Sequence, residues 1–139
     1  MGLKFTIPGK VQPKQSTKFG KFGAYQPAKV TNYANWVKMS FWKEYTGWLP
    51  YTADIPLIVR ITAYLPIPNS WSEKKKRKAE SGEVRPTVKP DTDNIGKMIK
   101  DALNGIAFAD DRQVVSETIT KEYSDLPRVE VEIERIGYA

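Results

Sequence analysis

Alternating apolar and polar residues predict four strands along the chain. One lies at 3–7 and a second at 55–65, where apolar side chains occupy the odd positions from Leu57 to Leu65. Because successive side chains of a strand point to opposite faces, this alternation indicates strands with one buried face. The last two strands, at 113–123 and 129–133, are separated by a turn at 124–127. We expect them to form an antiparallel hairpin whose glutamates face solvent.

Two other segments have helical spacing. The first runs from Pro27 to about Trp48, with Pro27 at a first-turn position, and most of its aromatic side chains are expected to pack in the core. The second begins with Asp93 or Asn94 as its N-cap and ends near 104–105. Its apolar residues recur at i, i+3, i+4, i+7 and i+8, which predicts an amphipathic helix; they are Ile95, Met98, Ile99, Ala102 and Leu103.

Together these elements predict an α+β fold: a single domain over 1–139, with a small mixed or antiparallel sheet and two main helices on it. The chain has no cysteine, which excludes disulfides and thiolate metal sites, and no histidine, which excludes imidazole catalysis. No apolar run approaches the ~20 residues of a membrane span, and the N-terminus lacks a signal-peptide pattern. We therefore expect a cytoplasmic protein that does not contact membranes.

The net charge of +6 is unevenly distributed. Residues 1–90 hold 16 Lys/Arg against 5 Asp/Glu, whereas residues 91–139 hold 6 against 11. Two basic segments, at approximately 10–26 and 68–89, are predicted to be mobile loops, the second with a short helix capped by Ser70 or Ser72. A basic half of this kind favours a polyanion such as nucleic acid. The candidate DNA-binding residues are Lys14, Lys18, Lys21, Lys74, Lys75, Lys76, Arg77, Lys78 and Lys89. The simpler alternative is that both segments are only solvated surface.

Four aspartates bracket the second helix. Asp91 and Asp93 precede it, in backbone that Pro90 is expected to keep extended, so that both carboxylates point to one face. Asp110 and Asp111 follow it, and we expect them to return to the same end of the helix, with Lys97 reaching over its first turn. Clustered carboxylates oppose one another's ionisation, and a hard cation such as Mg²⁺ relieves this repulsion. The alternative is that each pair serves only as a cap or a turn.

The run KPDTDNIGKMIKDALNG at 89–105, followed by DDRQVV at 110–115, resembles the signature of the RusA family of Holliday-junction resolvases. The resemblance is specific over 86–115 and looser over the rest of the chain. Members are small, Mg²⁺-dependent, dimeric crossover junction endodeoxyribonucleases of bacteria and their prophages. This sequence departs from the best-known bacterial member in two ways: its spacing from Asp101 to the Asp pair is one residue shorter, and Lys89 and Pro90 replace arginines.

Carried over by position, the resemblance implies that Asp91, Asp93 and Asp111 bind the metal, with Asp110 as a further candidate. It also implies that Lys97 is the essential basic residue. The function it implies is a structure-selective DNA endonuclease that resolves four-way junctions by paired symmetric nicks, in which a metal-activated water attacks the scissile phosphate. Mn²⁺ is an alternative to Mg²⁺, and the expected assembly on branched DNA is a homodimer. The rival interpretations are a non-catalytic nucleic-acid-binding protein and a metal-dependent enzyme acting on smaller phosphate compounds.

Overall fold

The computed structural model describes residues 2–137, in which helices cover one face of a four-stranded mixed sheet. This confirms the α+β prediction, with α1 and α3 as the two main helices. None of the helices in this range combines the length and apolar character that a membrane crossing requires. In chain order the elements are β1 (Leu3–Pro8), β2 (Lys18–Gly20), β3 (Gly23–Tyr25), α1 (Ala28–Glu44), β4 (Leu57–Pro66), α2 (Glu73–Glu80), α3 (Thr92–Leu103), a 3₁₀ turn (Asp111–Gln113), β5 (Val114–Ser124) and β6 (Arg128–Arg135).

The strand order in the sheet is β1-β6-β4-β5. β6 pairs antiparallel with both β1 and β4, whereas β4 and β5 are parallel, and the crossover between them carries α2 and α3. The predicted hairpin of the last two strands is therefore wrong, because β4 lies between β5 and β6. Alternation tells which face of a strand is buried, but it does not tell which strand is its neighbour.

The core lies between the helices and the face of the sheet formed by the odd residues of β4. All five predicted apolar positions of β4, from Leu57 to Leu65, are buried. On the helix side of this core, α1 contributes Phe41. Its ring meets the ring of Phe5 in β1 edge-on, with the ring centroids 5.3 Å apart. Such aromatic pairs add roughly 0.5–1.5 kcal/mol beyond the area they bury.

Helix α1 differs from its prediction at both ends, whereas its aromatic residues lie largely as predicted. Pro27 is the N-cap and not a first-turn residue, and the helix ends at Glu44, four residues before the predicted Trp48. Of its aromatic residues, Tyr33 and Phe41 are buried, but Trp36 and Trp42 are more than two-fifths exposed. Tyr45 and Trp48, which follow the helix, also pack against the core, so the prediction that most of these aromatic residues serve the core is confirmed.

Both basic segments contain regular structure. The first includes a small exposed hairpin of β2 and β3 where a loop was predicted. The second includes α2, and Ser72, one of the two predicted caps, accepts a hydrogen bond from the Lys75 amide at 3.2 Å. Trp71, just before α2, packs on Tyr123 with ring centroids 5.2 Å apart. This contact fixes α2 near the carboxyl end of β5.

Candidate active site

Helix α3 begins at least two residues earlier than the sequence indicated, since neither predicted N-cap, Asp93 or Asn94, is the observed one. Asp91 is its N-cap, with extended backbone angles, and Thr92 is its first helical residue. Asp93 thus lies inside the first turn, so the prediction that Asp91 and Asp93 share one face of an extended segment is wrong. The Asp91 carboxylate makes no capping hydrogen bond. It is therefore not required to hold the helix start, and its oxygens remain available for another ligand.

Asp93 and Lys97 form an ion pair on the outer surface of α3. The Lys97 Nζ lies 3.3 Å from an Asp93 carboxylate oxygen, which confirms that Lys97 reaches back to the first turn. The two side chains are 59% and 76% exposed, so the pair contributes no more than about 1 kcal/mol to stability. Negative charge is favoured at this end of a helix, where the backbone N–H groups point outward. The pair thus places one cation and one anion at an accessible helix start, two residues after the N-cap Asp91.

The residue that anchors this helix start is Lys121 of β5. Its Nζ donates hydrogen bonds to the backbone carbonyls of Val88, at 2.7 Å, and Pro90, at 3.1 Å. The sequence carried no signal for this role, since Lys121 occupies an ordinary position in an alternating strand. By holding the segment before Asp91, Lys121 positions the first turn of α3 over the sheet.

Gly96 marks the closest approach of α3 to β5. A Cβ built on Gly96 would lie 2.5 Å from the Cδ1 of Ile119 and 3.0 Å from a Glu117 carboxylate oxygen. One turn further along the helix, Lys100 forms an ion pair with the same glutamate. A glycine inside a helix costs about 1 kcal/mol relative to alanine, and this is the sequence signal that could have revealed the close approach.

These contacts show that α3 and β5 run in opposite directions. The start of α3 lies beside Lys121, near the end of β5, whereas Lys100 lies beside Glu117, nearer its beginning. Asp110 and Asp111 come just before β5 and hence lie beyond the other end of α3. A 12-residue helix is about 18 Å long. The expectation that the four aspartates meet at one end of the helix within one chain is therefore wrong, and residues 2–137 contain no cluster of three or more carboxylates able to hold a metal.

Asp110 has a structural task in the 3₁₀ turn. Its carboxylate accepts a hydrogen bond from the Arg112 amide, and its own amide donates to the side-chain oxygen of Gln113, both at 3.0 Å. The Arg112 amide is the main reason that the pKa of Asp110 lies below its ordinary value. The buried Gln113 in turn donates to the carbonyls of Thr52 and Ile55. Capping thus accounts for Asp110, while Asp111 is not needed to close the turn.

A basic groove of about 600 Å³ adjoins the start of α3. Four lysines line it together with three uncharged polar residues: Lys14, Lys18, Lys29 and Lys97, with Gln15, Ser16 and Asn94. Lys14 connects the groove to α3 through two contacts. Its backbone amide donates a hydrogen bond to the Asn94 carbonyl, and its ammonium lies 3.3 Å from a carboxylate oxygen of Asp101. Lys29 was not among the predicted DNA contacts. The predicted Lys21 does not line this groove; it sits on the β2–β3 hairpin, beside Phe22.

The remaining predicted DNA contacts lie near the same end of β5. The five residues of the run 74–78 are on α2. The Lys75 Nζ lies 3.9 Å from the centroid of the Trp71 ring, and Lys76 forms an ion pair with Glu73. Because α2 meets β5 at Tyr123, this run lies at the end of β5 where Lys121 holds the start of α3. Lys89, exposed, directly precedes the anchored Pro90. The cations predicted from the sequence are thus distributed around the start of α3, although only Lys14 and Lys18 share a groove with Lys97.

Comparison with known proteins adds two findings. Residues 8–134 match the family model described as "Endodeoxyribonuclease RusA". The chain is also 38% identical over 139 residues to YqaN of Bacillus subtilis (strain 168), which carries the description "Uncharacterized protein", and the match covers 97% of each chain. The family match spans nearly all of the described structure and includes α3, the basic groove and both pairs of aspartates.

Proposed function

Because the chain belongs to the RusA family of endodeoxyribonucleases, we propose that it is a metal-dependent, structure-selective nuclease that resolves four-way DNA junctions by paired symmetric nicks. The observation that supports this most directly is the start of α3. There Asp91 is the N-cap, and Asp93 pairs with Lys97, which lines a groove together with three other lysines. Carboxylates and ammonium groups thus meet where a phosphodiester backbone can lie.

The carboxylates at the start of α3 fit a divalent cation. Mg²⁺ takes oxygen ligands and typically uses one or two carboxylates together with waters and substrate phosphates. Asp91 and Asp93 would supply these carboxylates, and Mn²⁺ is an alternative ion. Asp111 lies beyond the other end of α3, so it would join them as a third ligand only from the second subunit of a homodimer. When bound, such an ion polarises the phosphate and lowers the pKa of a coordinated water. The other tasks, binding and orienting DNA, belong to side chains of the protein.

Lys97 would orient the scissile phosphate and offset the charge that develops on it during attack. Its ammonium already neutralises part of the charge of Asp93. The groove lysines Lys14, Lys18 and Lys29 would hold neighbouring phosphates, and the cations of α2 and Lys89 would hold the strand further away. In this arrangement recognition depends on the shape and charge of the junction, since phosphate contacts carry no base information.

The test is nicking of a labelled four-way junction, with linear duplex as the comparison, in Mg²⁺ and in EDTA. We expect junction-specific nicks in Mg²⁺ only. Asp93→Asn should lower the nicking rate by more than about a hundredfold while junction binding persists, because a metal ligand contributes more than the groups that merely support one. The matched control is Glu44→Gln, the same acid-to-amide change at the exposed end of α1, which should nick at the wild-type rate. Unaltered nicking by Asp93→Asn would exclude its ligand role.

The groove has its own test. Each phosphate contact adds about 0.9 to the slope of log affinity against log salt concentration. Lys29→Ala should reduce that slope by about one contact, whereas Lys43→Ala, an exposed lysine near the other end of the same helix, should leave it unchanged. Equal slopes for the two variants would argue against the groove.

The rival function is junction binding without catalysis. It is favoured if the wild-type protein binds junctions with a steep salt dependence but produces no nicks in Mg²⁺ or Mn²⁺. The observation that favours this alternative is the separation of the two aspartate pairs along α3, because the described part of a single chain then gathers no three carboxylates at one point.

A further inference from the structure

A cleft of about 670 Å³ lies between the flank of α1 and the edge strand β1. The described residues that line it include none of the candidate active site or of the basic groove. Lys43, which lines the cleft, and Lys29, which lines the groove, are both on α1, 14 residues apart. At 1.5 Å per residue this is about 21 Å along the helix. The cleft is therefore a separate feature of the surface.

The backbone of β1 is tied to the helix side at two points, one on each side of Thr6. The Tyr45 hydroxyl accepts from the Lys4 amide at 2.7 Å and donates to the Lys4 carbonyl at 3.1 Å. The Trp36 indole donates to the Pro8 carbonyl at 2.7 Å. Because residues 4 and 8 turn these groups away from β6, Thr6 between them does the same. Among the described residues, none bonds to the amide or the carbonyl of Thr6.

Side chains of α1 give the cleft an apolar wall. Trp36 and Met39 both line it, and they are 42% and 59% exposed. They present an aromatic ring and a flexible thioether, which an apolar side chain of a partner can cover. Removal of such surface from water favours association in proportion to the apolar area that is buried. The wall thus selects for a partner with at least one apolar side chain.

The charges around the cleft favour an acidic partner. Two lysines line it, Lys4 and Lys43, against a single glutamate, Glu44. Lys4 is 74% exposed and lies 3.5 Å from Glu132, and an ion pair this exposed contributes little. Its ammonium can therefore turn to a carboxylate of a bound partner. The net charge of +6 attracts acidic molecules to the protein as a whole.

The free amide and carbonyl of Thr6 distinguish a peptide from a nucleic-acid backbone. A phosphodiester offers only acceptor oxygens, so it would leave the Thr6 carbonyl without a donor. A peptide offers one donor and one acceptor at each residue, and an extended peptide can add to a free sheet edge through both. The strand from Lys4 to Pro8 is about 13 Å long, which is room for about three extended residues between the two ties.

We propose that the cleft between α1 and β1 binds an extended acidic segment of another protein, in which one residue bonds to the backbone of Thr6 and its two neighbours are apolar. Thr6 and Lys4 point to the exposed face of the sheet. In an antiparallel pairing the bonded residue shares that face, and its neighbours point the other way, toward Trp36 and Met39. An acid two positions from the bonded residue then lies beside Lys4.

The test is fluorescence anisotropy of the wild-type protein with a labelled peptide of sequence DEVTLED. Its threonine is placed opposite Thr6, its valine and leucine face the apolar wall, and four acids flank them. We expect saturable binding that is about tenfold tighter than that of the amide peptide NQVTLQN, with the difference shrinking as salt is added. No binding at about 1 mM protein, or equal affinity for the two peptides, would overturn the proposal.

Two pairs of variants locate the binding site. Thr6→Pro removes the amide donor, at an edge where β1 already contains Pro8, and should weaken binding about three- to tenfold. Thr6→Val keeps the amide and should bind as the wild type does. Met39→Glu removes apolar surface and repels the acidic peptide, so we expect a loss of about tenfold or more. Its matched control is Leu49→Glu, at an apolar side chain 83% exposed and outside the cleft, which should bind normally.

Circular dichroism checks the fold of each variant. Because Met39 is exposed, its substitution keeps the test decisive if Thr6→Pro does not fold. Wild-type affinity in Met39→Glu, or in a folded Thr6→Pro, would overturn the site.

Other occupants give different results. An unlabelled four-way junction should not displace the peptide, and displacement would assign the cleft to nucleic acid and overturn the proposal. Without peptide, Met39→Glu should sediment as the wild type does. A change in sedimentation would make the cleft a contact between copies of the chain and overturn it as well. If the protein binds the peptide but nicks no junction, the proposed function fails and this inference stands.

Discussion

The contact between Gly96 and Ile119 allows a sharp test of how α3 is seated on the sheet. Gly96→Ala adds a methyl group 2.5 Å from the Ile119 Cδ1, about 1 Å closer than an ordinary carbon–carbon contact. Overpacking of this kind costs about 1–3 kcal/mol. Replacing a helical glycine by alanine returns about 1 kcal/mol. The free energy of unfolding should therefore fall by about 0–2 kcal/mol, the difference between the two effects.

Ile119→Val removes the methyl group that the new Cβ would meet. By itself this change should cost about 0.5–1.5 kcal/mol, the usual range for Ile→Val, and a value near the lower end is expected because Ile119 is half-buried. In its presence, however, Gly96→Ala should become stabilising by up to about 1 kcal/mol, the helix-propensity gain, because the remaining close contact is the Glu117 carboxylate at 3.0 Å, the end of a flexible side chain. The coupling energy between the two positions is then about 1–3 kcal/mol, a size expected only for residues in contact.

The four proteins of this cycle can be compared by urea unfolding followed by circular dichroism, at one fixed protein concentration because association shifts apparent stability. Nicking by Gly96→Ala should fall in parallel, since relief of the overlap moves the helix that carries Asp93. Gly96→Ala should change the free energy of unfolding differently when position 119 is isoleucine and when it is valine. An equal change in the two backgrounds would refute the close approach of α3 and β5.

Three further predictions concern single residues. Lys121→Met keeps the length of the side chain but leaves the carbonyls of Val88 and Pro90 without their donor, so urea unfolding should show a loss of about 1–2 kcal/mol; an unchanged midpoint would mean that Lys121 anchors nothing. Tyr33 is buried, which raises the pKa of its hydroxyl, and this group has no hydrogen-bond partner among the described residues. Tyr33→Phe should therefore stabilise the protein by about 1 kcal/mol, and a loss in thermal unfolding would reveal a bond that the structure does not contain. Because the pKa of Asp110 is lower in the folded state, its contribution to stability is present above the ordinary aspartate range and disappears as pH falls through the folded value. Acid unfolding of Asp110→Asn should lack this component, and identical pH curves for the two proteins would contradict it.

The sequence predicted well what depends on short-range periodicity. The odd positions of β4 and the apolar stripe of α3 are buried as expected, and Ser72 caps α2. These features follow from the two geometric repeats of helix and strand, which any segment of a dozen residues displays. The same reasoning identified the residues of the α3 surface, including the reach of Lys97 back over the first turn, where the structure pairs it with Asp93.

The sequence could not predict relations between elements. β4 enters between β5 and β6, although their sequences alone suggest a hairpin, because strand order depends on tertiary packing. For the same reason the path of the chain after α3 could not be foreseen. The segment 104–109 was expected to return Asp111 to the start of the helix, but β5 lies parallel to β4 and so begins at the far end. Antiparallel packing of one helix on one strand thus decided where the aspartates lie.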